Sequence, residues 1–189
     1  PNQAEYWEQY ALVLGQLAAL AQSTENSTAA ASLAQEAVEG INQATTTNPV
    51  HLNIWKSRAR VFIWLAAVSE EFYDSAIRAL ETAHQLAPTD PKILYNLALL
   101  HEATHQFEQA DQVYQQAIEL KPNYEQARKS YAEFLTQQQQ YQAALDQYRY
   151  IEDVLKPNET LFAEEIAALE ASLSAQPSPT EPPSTPPLP

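Results

Sequence analysis

Proline recurs along this 189-residue chain at a nearly fixed interval. The pairs Asn48-Pro49, Ala87-Pro88, Lys121-Pro122 and Lys156-Pro157 are separated by 39, 34 and 35 residues. Other residue types keep the period. Tyr73, Phe107 and Tyr141 are 34 apart, as are Ala76, Ala110 and Ala144. Ala83 with Ala117, Leu86 with Leu120, and Tyr114 with Tyr148 repeat it. A period of this length, over positions of consistent type, is the mark of a solenoid. Each unit cannot bury its apolar face alone and does so against the next.

Between the prolines the apolar spacing is helical. Leu94, Leu97, Ala98 and His101 fall at i, i+3, i+4 and i+7, and Ala110, Val113, Tyr114, Ala117 and Ile118 follow the same rule. Thr89-Asp90-Pro91 is a helix start, with Asp90 as N-cap and Pro91 at the first helical position. The spacing predicts helix pairs at 3–22 and 28–46, 51–68 and 71–86, 91–104 and 107–120, and 124–138 and 141–155. A last amphipathic helix over 159–174 suits the open apolar end of such a stack. The expected fold is all-α, an α-solenoid of about four helix pairs plus a C-terminal capping helix. It occupies 2–174 and leaves a Pro/Ser/Thr-rich extended tail at 175–189.

Composition removes several function classes. There is no Cys, so no disulfide framework, thiolate metal site or Cys nucleophile. Gly15 and Gly40 are the only glycines, too few for a glycine-rich phosphate loop. The net charge of −14 repels nucleic acid and anionic membrane surfaces. The apolar stretches are too short and interrupted for membrane insertion. The chain starts at Pro1 and contains no Met, so it reads as a piece of a longer product.

Residues 91–123 resemble a tetratricopeptide repeat. Leu94, Leu97, Ala98, His101, Ala110, Tyr114, Ala117 and Pro122 stand at the positions of that family's pattern. The next repeat follows it through Tyr131, Ala132, Leu135, Ala144 and Tyr148. It departs at Ile151, where a small residue is expected, and carries one extra residue before Pro157. The second repeat keeps Ala76, Leu80, Ala83 and Pro88, but Trp64 stands where a small residue belongs. Such bulk forces helices apart or shifts them. The first repeat is the most divergent. The resemblance implies that the helix pairs stack into a right-handed superhelix. The runs 53–62 and 86–98 are also similar to repeat regions of bacterial O-antigen ligase/polymerase-like membrane proteins. That resemblance implies a cell-surface, extracytoplasmic location, with the glycan-transfer residues outside this chain.

His101-Glu102-Ala103-Thr104-His105 matches H-E-x-x-H, which on one helix places two imidazoles a turn apart for zinc, with Glu102 as base and Glu125 as a third ligand. The repeat register gives both histidines structural roles instead, His101 between helices and His105 at a turn. No metal, cofactor or catalytic residue is therefore assigned, and a zinc hydrolase is the remote alternative. Lys56, Arg58 and Arg60 form a candidate anion patch, or pair with Glu36, Glu39, Glu70 and Glu71. The resemblance implies a groove lined by the first helix of each pair: Lys92, Tyr95, Asn96, Leu99 and Glu102, then Gln126, Lys129, Glu133 and Gln137. Some family members clamp a peptide carboxylate there. Asn96 fits such a clamp, but Gln126 and Ser130 stand where Lys and Arg are needed. The expected function is a non-catalytic scaffold for a protein partner or a glycan. The alternative is a subunit that self-associates end to end through Tyr6, Trp7 and Tyr10 against Leu161, Ile166 and Leu169 of another copy.

Overall fold

The computed structural model describes residues 3–175, and every regular element among them is helical. The order is α1 (Gln3–Ser23), α2 (Ser27–Thr47), α3 (Leu52–Leu65), α4 (Phe72–Leu86), α5 (Pro91–Ala103), α6 (Phe107–Leu120), α7 (Glu125–Gln137), α8 (Tyr141–Tyr150) and α9 (Ala163–Ala175). The tail beyond Ala175 lies outside the described residues. Three bounds differ most from the sequence reading. α3 stops at Leu65 rather than 68, and α9 starts at Ala163 rather than 159. α8 gives way at Tyr150 to a wider turn that runs on to Leu155. The helices group into two compact units, one through Pro122 and one from Asn123.

In the first unit α1 and α2 meet along an alanine seam. Ala4, Ala11 and Ala18 on α1 and Ala30, Ala37 and Ala44 on α2 recur every seventh residue and are at most 1 % exposed. A seven-residue spacing keeps them on one face, and a methyl group lets the backbones come close. Gly40 extends the seam. A Cβ there would stand 3.2 Å from Tyr10 Cδ1 and 3.3 Å from Ala11 Cβ. The bulk of Trp64 on α3 is absorbed opposite a gap, because a Cβ on Gly15 would lie 3.3 Å from the indole. The clash expected from sequence is thus offset by a residue with no side chain. Ser57 on α3 donates to Glu8 Oε1 on α1 at 2.5 Å, so a buried carboxylate ties the first pair to the second.

Three hairpin turns place a non-glycine residue in the left-handed region: Glu25 (φ 61°), His105 (φ 58°) and Gln139 (φ 60°). In each, the next N–H reaches back to a carbonyl of the preceding helix: Asn26 to Ala21 at 2.9 Å, Gln106 to His101 at 2.8 Å, Gln140 to Leu135 at 2.9 Å. This is the Schellman closure, which satisfies the last helical carbonyls and requires that backbone.

In the second unit α7, α8 and α9 bury Tyr131, Phe134, Leu135, Leu145 and Tyr148. Here the extra residue before Pro157 has a physical form. The carbonyls of Ala83 and Ala117 accept from the N–H four residues on, Ala87 and Lys121, at 3.0 and 3.1 Å. Ile151 stands 34 residues after Ala117, and its carbonyl accepts from Lys156, five residues on, at 2.9 Å. The insertion is taken up as one π turn, Ile151–Leu155. Glu152 on that turn accepts the Phe162 N–H at 2.7 Å, just before α9. The Phe162 ring packs on Tyr148 at 4.9 Å, and Arg149 donates to Glu170 at 2.7 Å. α9 is thereby fixed on α8.

Candidate functional site

Helices α3 and α5 flank a pocket of about 360 Å³ in the first unit. Lys56 and Arg60, one turn apart on α3, border it from one side, and Lys92 and Asn96, one turn apart on α5, from the other. Leu80 and Ile93 supply apolar lining. The structure thus brings two members of the sequence-read anion patch together with the first two polar members of the sequence-read groove. The i, i+4 spacing on each helix is what points both pairs into one space.

The basic patch does not pair with the carboxylates expected of it. Lys56 Nζ lies 2.6 Å from Asp90 Oδ2, not against Glu36, Glu39, Glu70 or Glu71. Arg58 points elsewhere: it donates to Asn42 Oδ1 at 2.6 Å and to Thr45 Oγ1 at 3.3 Å, and its guanidinium lies 4.8 Å from the Phe62 ring centroid. Burial, then the nearby charge of Arg78, lowers the pKa of Arg58. It serves as a tie between α3 and α2. Among the described residues neither Arg60 nor the Lys92 side chain takes part in an ion pair, and Lys92 acts on Asp90 only through its charge.

Asp90 is the N-cap of α5, accepting the Lys92 N–H at 3.0 Å, and also the counter-ion of Lys56. Partial burial raises its pKa. The hydrogen bonds from Lys56 and the Lys92 backbone, with both positive charges, outweigh that and hold it below the ordinary carboxylate value. A carboxylate depressed in the folded state adds stability above its unfolded pKa of about 3.9 and loses it as pH falls through the folded value. Asp90→Asn keeps a good N-cap and removes the charge. The difference in urea midpoint between the two proteins is expected to be constant from pH 7 to about 5 and to shrink below about pH 4. A difference that grows on acidification would contradict the pairing.

The remaining groove residues of the first unit divide. Tyr95 is 7 % exposed and packs near Tyr114, with ring centroids 6.5 Å apart, so it is core and not groove lining. Glu102 accepts the Tyr114 hydroxyl at 2.9 Å, and Leu99 is half-buried. In the second unit Gln126, Lys129, Glu133 and Gln137 are carried on α7, and Glu133 and Gln137 border a cavity described below.

The two histidines have different surroundings. His101 is buried, with Nδ1 2.8 Å from Gln106 Oε1. α5 ends at Ala103, and His105 sits in the left-handed turn with its ring edge-on to Phe107 at 5.6 Å. The helical spacing that H-E-x-x-H chemistry needs is broken between them, and Glu102 is engaged by Tyr114. Glu125 belongs to the second unit, where Lys156 Nζ lies 2.9 Å from its carboxylate. Among the described residues no group of three or more His, Asp or Glu is placed to hold a metal ion.

Of the end-to-end candidates, Tyr6 is 55 % exposed and Leu161 is exposed, but Leu169 is 3 % exposed inside the α8–α9 contact. Trp7 packs on the core cluster, Tyr10 donates to Glu36 Oε2 at 2.9 Å, and Ile166 is half-buried. Sequence reasoning passed over Glu8, Asp90 as a counter-ion, and Glu165 on α9, which borders a cavity together with residues of α7. Of these, Asp90 alone carries a sequence signal, as the N-cap of α5 one period after Lys56.

The tetratricopeptide repeat family model matches residues 91–124. A search of curated proteins finds no match to the chain. Among solved structures, the chain is similar to TTC0263, a thermophilic protein of these repeats from Thermus thermophilus, at 18 % identity and a TM-score of 0.58, covering 87 % of this chain and 99 % of that one. It is similar to YrrB, a repeat protein described as having an unusual peptide-binding site, at 17 % identity and a TM-score of 0.59, covering 92 % and 84 %. It is also similar to the first repeat domain of Spaghetti (RPAP3) bound to the HSP90 peptide SRMEEVD, at 18 % identity and a TM-score of 0.55, covering 66 % and 94 %. The fold is the all-α helical-repeat fold of these structures, and residues 91–124 are the stretch that matches the tetratricopeptide repeat family itself.

Proposed function

We propose that this protein is a non-catalytic scaffold that holds an acidic, extended peptide segment of a partner protein, with a carboxylate of that peptide seated between α3 and α5. The observation that carries this reading is the convergence of Lys56, Arg60, Lys92 and Asn96 on one pocket, with only Asp90 set against them. Two cations outside any ion pair and an amide beside an apolar wall match a carboxylate on an aliphatic stem. The peptide held by the similar Spaghetti domain is acidic at its end, which supports the same ligand class here.

The test is fluorescence anisotropy with a labelled peptide ending in Glu-Glu-Val-Asp, against its amidated, Gln/Asn-substituted analogue. Arg60→Ala and Lys92→Ala are each expected to weaken the acidic peptide about 5–30-fold. Asp90→Asn frees Lys56 and is expected to tighten it. Binding that ignores all three changes, or an analogue that binds equally well, would sink the proposal.

The wider setting is proposed on the sequence resemblance of 53–62 and 86–98: the extracytoplasmic face of a bacterial O-antigen ligase-like protein, where a glycan is a second candidate ligand. No helix among the described residues is long and apolar enough to cross a membrane. Self-association is the second reading. Tyr6, Val13, Leu17 and Leu20 form an exposed apolar row on α1 that favours it. Light scattering that rises with protein concentration, and falls in Tyr6→Ser/Leu17→Ser, is its expected signature.

A further inference from the structure

The second unit contains a cavity of about 360 Å³ bordered by α7, the ends of α8 and α9. Glu133 from α7 and Glu165 from α9 border it, with Tyr141 and Tyr148 from α8 and Leu169 from α9. No cationic side chain lines it. Tyr148 is 4 % exposed, and among the described residues its hydroxyl makes no hydrogen bond. The ring is buried while the hydroxyl oxygen stays open to the cavity, so a polar atom that enters can bond it there. Here it borders a space in this unit that a ligand atom can enter beside it.

We propose that this cavity is a binding site for an alkylammonium group, with the charge held by Glu133 and Glu165, the stem against Leu169 and Tyr141, and the Tyr148 hydroxyl as a further polar contact. The inference stands on the second unit alone and does not rest on the peptide pocket of the first.

Carboxylates from two helices supply the charge, and the faces of two phenols attract a cation. A neutral sugar leaves the two negative charges unmatched, and an anion is repelled. The electrostatics agree. Burial first, then the Glu133 and Glu165 carboxylates, pushes the Tyr148 phenol up to about 12. The two carboxylates thus act on the hydroxyl as well as bordering the cavity. Lys129 Nζ lies 3.7 Å from Glu133 Oε1, with both side chains about half exposed. Such surface pairs are weak, so an entering ammonium displaces Lys129 at little cost. One ammonium chemistry has two sources: a free amine, or a lysine side chain of a partner.

The full chain is titrated at pH 7 with n-butylammonium chloride and, separately, n-butanol, following the NMR signals of Tyr148 and Leu169. Butylammonium is expected to bind with a Kd of about 1–10 mM and butanol at least about tenfold more weakly. Glu133→Gln/Glu165→Gln should weaken butylammonium about tenfold and leave butanol unchanged. Tyr148→Phe keeps the ring against Phe162 and should weaken it a few-fold with an unchanged melting temperature. Far-UV circular dichroism checks that each variant is folded, and both glutamates are exposed, so Gln fits. An acetylated, amidated Ala-Lys-Ala peptide that binds more tightly than butylammonium identifies the source as a partner's lysine, and equal binding identifies a free amine. Butanol binding as well as butylammonium, unchanged affinity in the double variant, or a response to neutral oligosaccharide alone would overturn the proposal.

Discussion

Phe134→Ala is expected to destabilise the protein by about 3–5 kcal/mol, the largest effect of any single substitution discussed. Phe134 is 1 % exposed and stacks on Tyr131, with ring centroids 6.3 Å apart and planes 16° from parallel. It faces the interior of a unit whose helices are short: 13 residues in α7, 10 in α8 and 13 in α9. Short helices owe their stability to tertiary packing more than to propensity, so a cavity at their centre cannot be offset locally. Phe134→Leu leaves a smaller hole and should cost less than half as much. Urea midpoints from far-UV circular dichroism provide the check. A loss below about 1 kcal/mol for Phe134→Ala would mean that the site collapses around the gap.

The second large effect is expected at the alanine seam. Ala37→Leu adds three carbons where α1 and α2 have no space, and overpacking of this kind costs about 1–3 kcal/mol as neighbours leave their rotamers. Ala31→Leu on the same helix is the control, since Ala31 is exposed and Leu has nearly the helix propensity of alanine. It should change stability by less than about 0.5 kcal/mol. The same logic applies to Ala110 and Ala144, both fully buried, at the repeat positions read as small from sequence. The Trp7 side chain packs against the core cluster that contains Ala37, so the seam variant should also shift tryptophan emission. Equal midpoints for the two leucine variants would show that the helices part freely along the seam.

The helices were legible because their signals are local. Period, caps and prolines mark most of the helix bounds, and Asp90 caps α5 as its sequence announces. The end of α3 and the start of α9 carry no such signal and were misplaced by three or four residues. What lines a groove was legible only in part. Lys92 and Asn96 point to the pocket, but Tyr95, one residue before Asn96, turns inward, since neighbours on a helix differ by about 100°. The ion pair of Lys56 was missed because it bridges 34 residues, one full period, and no i, i+4 rule reaches that far. Glu8 was invisible for a similar reason: its partner Ser57 lies 49 residues on and has no charge to advertise the pairing. The Glu133–Glu165 cavity depends on the angle at which α9 lies on α8. That angle follows from the Glu152–Phe162 hydrogen bond and the Phe162–Tyr148 contact, which no periodicity encodes.

The π turn at Ile151–Leu155 bears on how an array of this kind tolerates genetic change. An insertion of one codon would turn every later side chain by about 100° if the α-helix simply ran on. Here one wider turn takes up the extra residue, and the Lys156 N–H still closes on the Ile151 carbonyl. Pro157 then follows the cap as Pro122 follows Lys121. Frame is kept by the cap and not by the count of residues. Repeat length in such chains is therefore free to drift by single residues at the ends of second helices, and the drift leaves its trace as a local widening of the helix.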